Sequence, residues 1–327
     1  MNFLSATGST NNPGLWGKSM SGIHTKVIVN PEAGSRSVGR KWPRIIRQLE
    51  KEGLAFDYEF TKSRGHALDI AGRSIGNGYR YLIAVGGDGT VNEVANGISR
   101  SNNPQSIILG IVSAGTADAF SFSLGITENY NVINSFQTDR SSTLIDVGVV
   151  RCYNHGQSAE RFFLNEASIG LAAEIVDSWK SLPTRFGKGV NLALRTATGY
   201  KVLSIHRNKK VKLQIGDEAE SISMCAVMVS NGQYCADRML IAPHASLNDG
   251  LLNAIIVGDV TRFELLKIRP TLYKGSHIEH PMIREKKATN VTIESDERLF
   301  VEADGDILGE CPASFRVKPS ALSVVVL

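Results

Sequence analysis

The sequence predicts two domains of different class, an α/β domain with a parallel sheet up to about Leu144 and a β-rich, mainly antiparallel domain after it. Three observations carry this. Up to Leu144 short apolar runs alternate with helical stripes, as in a parallel sheet joined by crossover helices. Beyond Leu144 strand-like runs succeed one another with few helices between them. A chain of 327 residues is also long enough for about two ordinary domains.

Lys26-Val27-Ile28-Val29-Asn30, ended by Pro31, reads as a buried parallel strand. Trp42, Ile45, Ile46 and Leu49 then form one helical stripe. Phe56–Thr61 alternates aromatic and acidic residues as a half-buried strand does, and His66–Ile75 follows as a helix. Tyr81–Val85 is the third strand and runs into Gly86-Gly87-Asp88-Gly89-Thr90; Val91, Val94, Ala95 and Ile98 stripe the next helix. Ile107–Val112 is the fourth strand, ending at Ser113-Ala114-Gly115-Thr116. In the second half strands are expected at 144–151, 161–167, 210–215, 223–230, 251–257, 288–293, 299–303 and 322–327. Helices are expected at 172–181, 191–205 and 262–267. The expected division is a disordered tail over 1–23, rich in Gly, Ser and Asn, an α/β domain over 24–144 and a β-rich domain over 145–327.

Composition excludes several classes. Hydrophobic residues are 42 % and charged residues 21 % of the chain, both near the globular average. Residues 1–144 carry 14 Lys and Arg against 11 Asp and Glu, and the remainder 22 against 21, so neither half (+3 and +1) concentrates the positive charge of a nucleic-acid binder. The basic clusters at His206–Lys210 and Arg284–Lys287 read as solvated loop charge, with anionic lipid head groups as the alternative. Cys152, Cys225, Cys235 and Cys311 have no metal or redox spacing and are expected as buried thiols of a cytoplasmic protein. No apolar run reaches the ~18–20 residues that cross a bilayer.

The stretch Gly86–Thr90 carries the most chemistry. It follows a strand and opens a helix, so its backbone N–H groups form an anion cradle that the glycines let phosphate approach. Asp88 is expected as an exposed carboxylate for Mg²⁺, with Thr90 and Asn92 adding a hydroxyl and an amide. Gly115-Thr116 and Thr61, the latter followed by Arg64-Gly65-His66-Ala67, end neighbouring strands, so three strand ends converge on a nucleotide crevice. Neither the dinucleotide nor the P-loop glycine pattern occurs.

In order and spacing, Val29-Asn30-Pro31 with Gly34, Thr61 with Gly65-His66-Ala67, Gly86–Thr90 with Asn92-Glu93, and Gly115-Thr116 resemble the diacylglycerol kinase catalytic domain. The likeness continues through Ile145–Gly148, Phe163–Ala167, Asn231-Gly232, Ala242–Ala245, Asp249–Leu251 and Asp304-Gly305-Asp306. It implies a soluble, bacterial-type lipid kinase: a nucleotide-binding domain similar to those of NAD kinases and 6-phosphofructokinases, then an antiparallel β sandwich, with ATP between them. Carried over by motif, Asn30, Thr61, Gly86, Gly87, Asp88, Gly89, Thr90, Asn92, Gly115 and Thr116 line the ATP site. Asp306 stands at the family's proton acceptor, with Asp304 beside it, and in an extended strand the two would share a face. Ser246, Asp249 and Leu251 match a structural Mg²⁺ site, Ser246 and Leu251 through backbone carbonyls.

The sequence departs from the family at three places. Asp118 and Ala119 replace an Asn-Asp pair, Asp306 replaces Glu, and Cys235-Ala236-Asp237-Arg238 fills a glycine-rich segment, where Arg238 has a phosphate contact or a salt bridge with Asp237 as alternative roles. The competing readings are an NAD kinase and a nucleotide- or lipid-binding homologue with impaired catalysis. Phe120, Phe122 and Leu124 read as core before they read as a lipid entrance. The implied partners are ATP, Mg²⁺, a lipid alcohol and a transient membrane surface, with no nucleic acid; a homodimer is left open.

Overall fold

A computed structural model describes residues 8–9, 25–51, 54–113, 118–126, 142–180, 182, 188–236 and 238–325, with backbone alone at 8–9 and 188–192. The chain divides into two compact units, Met1–Ile145 with Ser320–Leu327, and Asp146–Pro319. The expected tail, apart from Gly8-Ser9, lies outside the described residues, as do Gly115, Thr116 and Asp237.

The first unit is α/β. Its elements are β1 (Thr25–Val29), α1 (Ala33–Lys51), β2 (Phe56–Phe60), α2 (His66–Gly76), β3 (Tyr81–Gly86), α3 (Asp88–Ser99), β4 (Ile108–Ser113) and a short α4 (Ala119–Ser123). The strands lie in the order β2-β1-β3-β4, all parallel. β-branched and aliphatic residues fill β1 and β3 because both sheet faces are covered: Val27, Ile28, Val29, Ile83, Ala84 and Val85 have no exposed surface. Trp42 of α1 packs edge-on to Phe60 and tilted on Tyr58, at 5.9 and 5.2 Å between ring centres. Strand order reverses between β1 and β3, so the carboxyl ends of those two strands flank the crevice where such sheets bind ligands. The Gly34–Arg36 stretch at the start of α1 has left-handed dihedrals and is not part of the regular helix.

The second unit is antiparallel. β5 (Ser142–Asn154) enters it and is followed by β6 (Gln157–Phe163), β7 (Glu166–Gly170), α5 (Leu171–Lys180), α6 (Lys188–Ile205), β8 (Lys209–Ile215), β9 (Glu218–Met224), β10 (Ala226–Ser230) and β11 (Leu252–Val257). Then come α7 (Arg262–Ile268), β12 (Ile283–Ala288), β13 (Asn290–Glu294), β14 (Phe300–Ala303) and β15 (Asp306–Val325). One run of pairings reads β14-β7-β10-β11-β12; another joins β9-β8-β13 to β15. Their alternating residues share a core that includes Phe163, Ile169, Leu213, Val229, Ile256, Val291, Val301 and Phe315.

The sequence reading did not expect α4, most of β9 or β15 before residue 322, and it differs from this in further places. The expected strand at 161–167 breaks at Leu164-Asn165, and that at 223–230 breaks at Cys225, whose N–H turns to the carbonyls of Val257 and Gly258. β12 was not expected, because Arg284–Lys287 reads as a charge cluster; the strand forms by pairing with β11 along its whole length. Asp304-Gly305 is a hairpin turn, not extended strand, with φ of 45° and 86°. Near its end β15 pairs in parallel with β4, Ser323 opposite Ile108. The cysteines are free, three of them buried and Cys311 half-buried.

Helix contact in the first unit makes two glycines behave oppositely. A Cβ on Gly97 of α3 would sit 2.7 Å from the Ala71 Cβ and 2.9 Å from the Leu68 carbonyl oxygen, whereas one on Gly72 of α2 meets nothing outside its own helix within 4 Å among the described residues. Alanine favours a helix over glycine by ~1 kcal/mol, while overpacking against backbone costs ~1–3 kcal/mol. Gly97→Ala should therefore lower the thermal midpoint and Gly72→Ala should raise it; a rise for both in differential scanning fluorimetry would contradict the close helix contact.

Candidate active site

In the first unit the strand-end motifs are tied to one another through side chains. Asn30, just past β1, donates from Nδ2 to Thr90 Oγ1 at 2.9 Å and accepts from the Glu32 N–H, so its amide is fixed at both ends. Thr90 is buried, and its side chain explains Gly86, where a Cβ would lie 2.5 Å from Thr90 Oγ1. Gly89 has a different reason to be glycine. It is exposed, its dihedrals are not left-handed, and among the described residues nothing beyond its chain neighbours and its own helix lies within 4 Å of an added Cβ, so the missing side chain leaves space at the α3 N-terminus. Gly87 caps α3 through backbone alone, accepting from the Thr90 and Val91 N–H groups.

The acids here hold backbone. Glu93 accepts from the N–H groups of Gly65 and Ala67 at 2.8 and 3.1 Å and so caps α2 from the neighbouring helix. Thr61 ends β2 with its N–H on the Val29 carbonyl. Asp88 is not the exposed carboxylate expected: it is half-buried and accepts from the Ala119 and Phe120 N–H groups, both at 3.1 Å. Desolvation raises its pKa, and the nearby Asp118 adds to that rise. Asn92 is buried in α3, its side-chain oxygen accepting from Asn96 at 3.1 Å. Phe120 is core, with Phe122 and Leu124 half-buried.

In the second unit the remaining motifs meet in one polar network. The Asp304 carboxylate accepts from the N–H groups of Leu164, Asn165 and Glu166 at 2.7, 2.9 and 3.2 Å, holding the bend between β6 and β7. Asn231 donates its amide to the carbonyls of Asp146 and Leu164, and its own N–H goes to Asn165. Asp146 in turn accepts from the Gly250 N–H at 2.7 Å. Asp306, first in β15, is paired with Arg161 at 3.0 Å. Arg161 was missed by the sequence reading because it belongs to no motif; Asp146, Asn165 and Asn231 lay inside recognised motifs but had no assigned role.

A divalent cation fits one of its two expected positions. Asp88 uses part of its lone-pair capacity on backbone N–H groups and is desolvated beside a second acid, so a hard cation suits it. At the other position Asp249 is paired with Lys287 at 2.8 Å and also accepts from the Leu251 N–H, while the Ser246 hydroxyl donates to Asn248. A cation there would have to displace the Lys287 ammonium. Among the described residues no group of three or more acids, histidines and cysteines gathers for a metal.

Two family models match the chain. The diacylglycerol kinase catalytic domain matches residues 24–150, and the YegS C-terminal NAD kinase beta sandwich-like domain matches residues 182–326. Curated relatives include the diacylglycerol kinase of Staphylococcus saprophyticus, 28 % identical over 290 residues, which are 89 % of this chain and 91 % of that one. That of Staphylococcus aureus strain MRSA252 is 29 % identical over 293 residues, 89 % and 88 % of the two chains. In fold the chain is similar to a diacylglycerol kinase structure from Bacillus anthracis, with a TM-score of 0.68 at 21 % identity over 93 % of this chain and 97 % of that one. A second Bacillus anthracis chain gives 0.72 at 23 % identity over the same shares.

Glu302 and Glu166 lie behind the Asp304 turn. Glu302 has no exposed surface, accepts from the Ser168 hydroxyl at 2.6 Å and from the Gly305 N–H, and so braces the turn from inside β14. Burial pushes its carboxyl up to about 7, from 4.5, against the pull of those two donors. Burial and the nearby Glu302 and Asp304 raise Glu166 as well. A carboxyl with a raised folded-state pKa binds its proton more tightly in the folded chain, so the stability it adds is full below 4.5 and is lost as pH climbs through about 7. The thermal midpoint should be lower at pH 8 than at pH 5, and Glu302→Gln should shrink that difference; an unchanged difference would remove Glu302 as its source.

Proposed function

We propose that this chain, a member of the diacylglycerol kinase catalytic-domain superfamily, transfers the γ-phosphoryl group of ATP to a hydroxyl of a diacylglycerol-like or long-chain lipid alcohol. The observation that carries the nucleotide assignment is the Gly86–Thr90 turn. It opens α3 at the reversal of strand order, with Gly89 leaving the helix N-terminus open to an anion.

Each unit's residues have a part in this reading. Gly87, Asp88 and Gly89 receive phosphate oxygens on backbone N–H groups, those of Thr90 and Val91 being bound to the Gly87 carbonyl. Asn30 and Thr90 keep that turn in shape by their mutual hydrogen bond. Asp88 would hold Mg²⁺, which when bound neutralises phosphate charge. Asp306 accepts the proton of the attacking hydroxyl, and Arg161 fixes the direction of its carboxylate. Asp304 is a positioning residue, since its oxygens are engaged with the 164–166 backbone. No helix among the described residues is long and apolar enough to cross a membrane, so the enzyme would reach its lipid by transient contact with a bilayer surface.

Radiolabelled ATP offered with Mg²⁺ to a panel of lipid alcohols in detergent micelles, with NAD as a control acceptor, should yield label that extracts into chloroform. Label only on NAD, or no label at all, would overturn the proposal. Asp306→Asn should reduce turnover roughly 100-fold or more while ATP affinity stays within about twofold. A change confined to ATP binding would remove Asp306 from the proton transfer. Asp88→Asn should cost turnover roughly 100-fold with the thermal transition retained, and near-normal activity would exclude Asp88 as the cation ligand.

A further inference from the structure

Large exposed hydrophobic side chains gather in one region of the second unit. Of the eight among the described residues, Tyr200, Ile205, Phe263, Leu266, Tyr273 and Met282 belong to the second half of α6, to α7 and to the segment that follows it. Contacts hold these segments together. The Arg269 guanidinium donates to the Tyr200 hydroxyl at 2.7 Å and lies 5.1 Å from that ring's centre. Asn208, three residues past Ile205, donates to Asp259 and to the Val260 carbonyl just before α7. The Met282 carbonyl receives the Gly258 N–H at 2.8 Å. α7 is thus apolar on two faces: Leu265 and Ile268 pack inward, while Phe263 and Leu266, one turn apart, point out. Phe263 is 78 % exposed and Ile205 67 %, values a packed side chain does not reach.

Charge around these side chains is mostly positive. Residues 200–207 and 262–274 contain Lys201, Arg207, Arg262, Lys267, Arg269 and Lys274, all exposed, against a single acid, Glu264. Glu264 is engaged as a helix cap, accepting from the Thr261 N–H and hydroxyl at 2.7 Å. Of the flanking acids, Asp259 accepts from Asn208 and Glu174 is bonded to His206, while Glu279, three residues before Met282, is exposed.

We propose that this surface, centred on Phe263 and Leu266 and ringed by those six cations, docks the enzyme on an anionic lipid bilayer. Apolar tips standing out from a short helix suit insertion at the head-group boundary, and the cations meet lipid phosphates there. A second copy of the chain is a poorer occupant, because a two-fold contact through this patch would set its cations against their own images. The proposal rests on the lipid-kinase reading for its purpose, but the surface can be tested without catalysis.

The test is co-sedimentation of the full chain with vesicles of phosphatidylglycerol and phosphatidylcholine, alongside phosphoryl transfer in detergent micelles, where docking is not needed. The wild type should bind these vesicles and release roughly tenfold as salt rises from about 0.05 to about 0.5 M. Phe263→Ser with Leu266→Ser should weaken binding about tenfold, with micellar activity and oligomeric state unchanged. Undiminished binding by that variant, equal binding to pure phosphatidylcholine, no wild-type binding, or a wild-type dimer that the variant dissociates would each overturn the docking surface. Failure of micellar transfer in the wild type would instead bear on the proposed function, because vesicle binding is read separately.

Discussion

The second unit's candidate site depends on one acceptor, the carboxylate of Asp304, and the three backbone N–H groups it receives from residues 164–166. Those N–H groups stand where β6 stops and β7 begins, so no strand partner satisfies all of them, and leaving one unpaired in a buried bend costs ~1–3 kcal/mol. By accepting all three, Asp304 fixes the bend. The bend sets the carbonyls of Leu164 and Asn165, which Asn231 reads with its amide and its N–H. The same acceptor pins the hairpin that delivers Asp306 to Arg161. Removing that one carboxylate would loosen a turn, a bend and an ion pair together.

The first unit uses the same device. Glu93 caps α2 from α3, and Asp88 receives the N–H groups that open α4. Asp88, Glu93, Asp146 and Asp304 therefore spend oxygen lone pairs on another segment's backbone, and this explains why those segments occur as a set. Asp88, Glu93 and Asp304 all have backbone on both oxygens. What marks Asp88 is desolvation beside a second acid, Asp118, which a cation would offset.

Much of the first unit was legible because helix and strand periods are local. The stripes at Val91, Val94, Ala95 and Ile98, and the apolar runs at 27–29 and 81–85, state their burial in the sequence, and those residues are buried. What the sequence hid depends on partners far along the chain. The charged run at Arg284–Lys287 becomes β12 because β11 offers it a ladder, and Ser323 reaches Ile108 across more than two hundred residues. Glu302 and Asp88 were misjudged or missed for a related reason. A carboxylate in sequence carries no mark of its desolvation, which the packing of Ser168, Ala119 and Phe120 around it decides.

The departure at Ala119 follows from the same logic. A carboxylate side chain at 119 would stand at the N–H group that Asp88 now accepts, one residue after Asp118, whose charge already bears on Asp88. Three acids at so short a spacing repel unless a cation sits among them. With alanine at 119 the backbone N–H remains and the third charge is gone, so Asp88 keeps two backbone donors and faces one neighbouring acid where it would face two. On the proposed reading, a cation brought with the nucleotide's phosphates would meet a carboxylate already aimed by the Ala119 and Phe120 backbone.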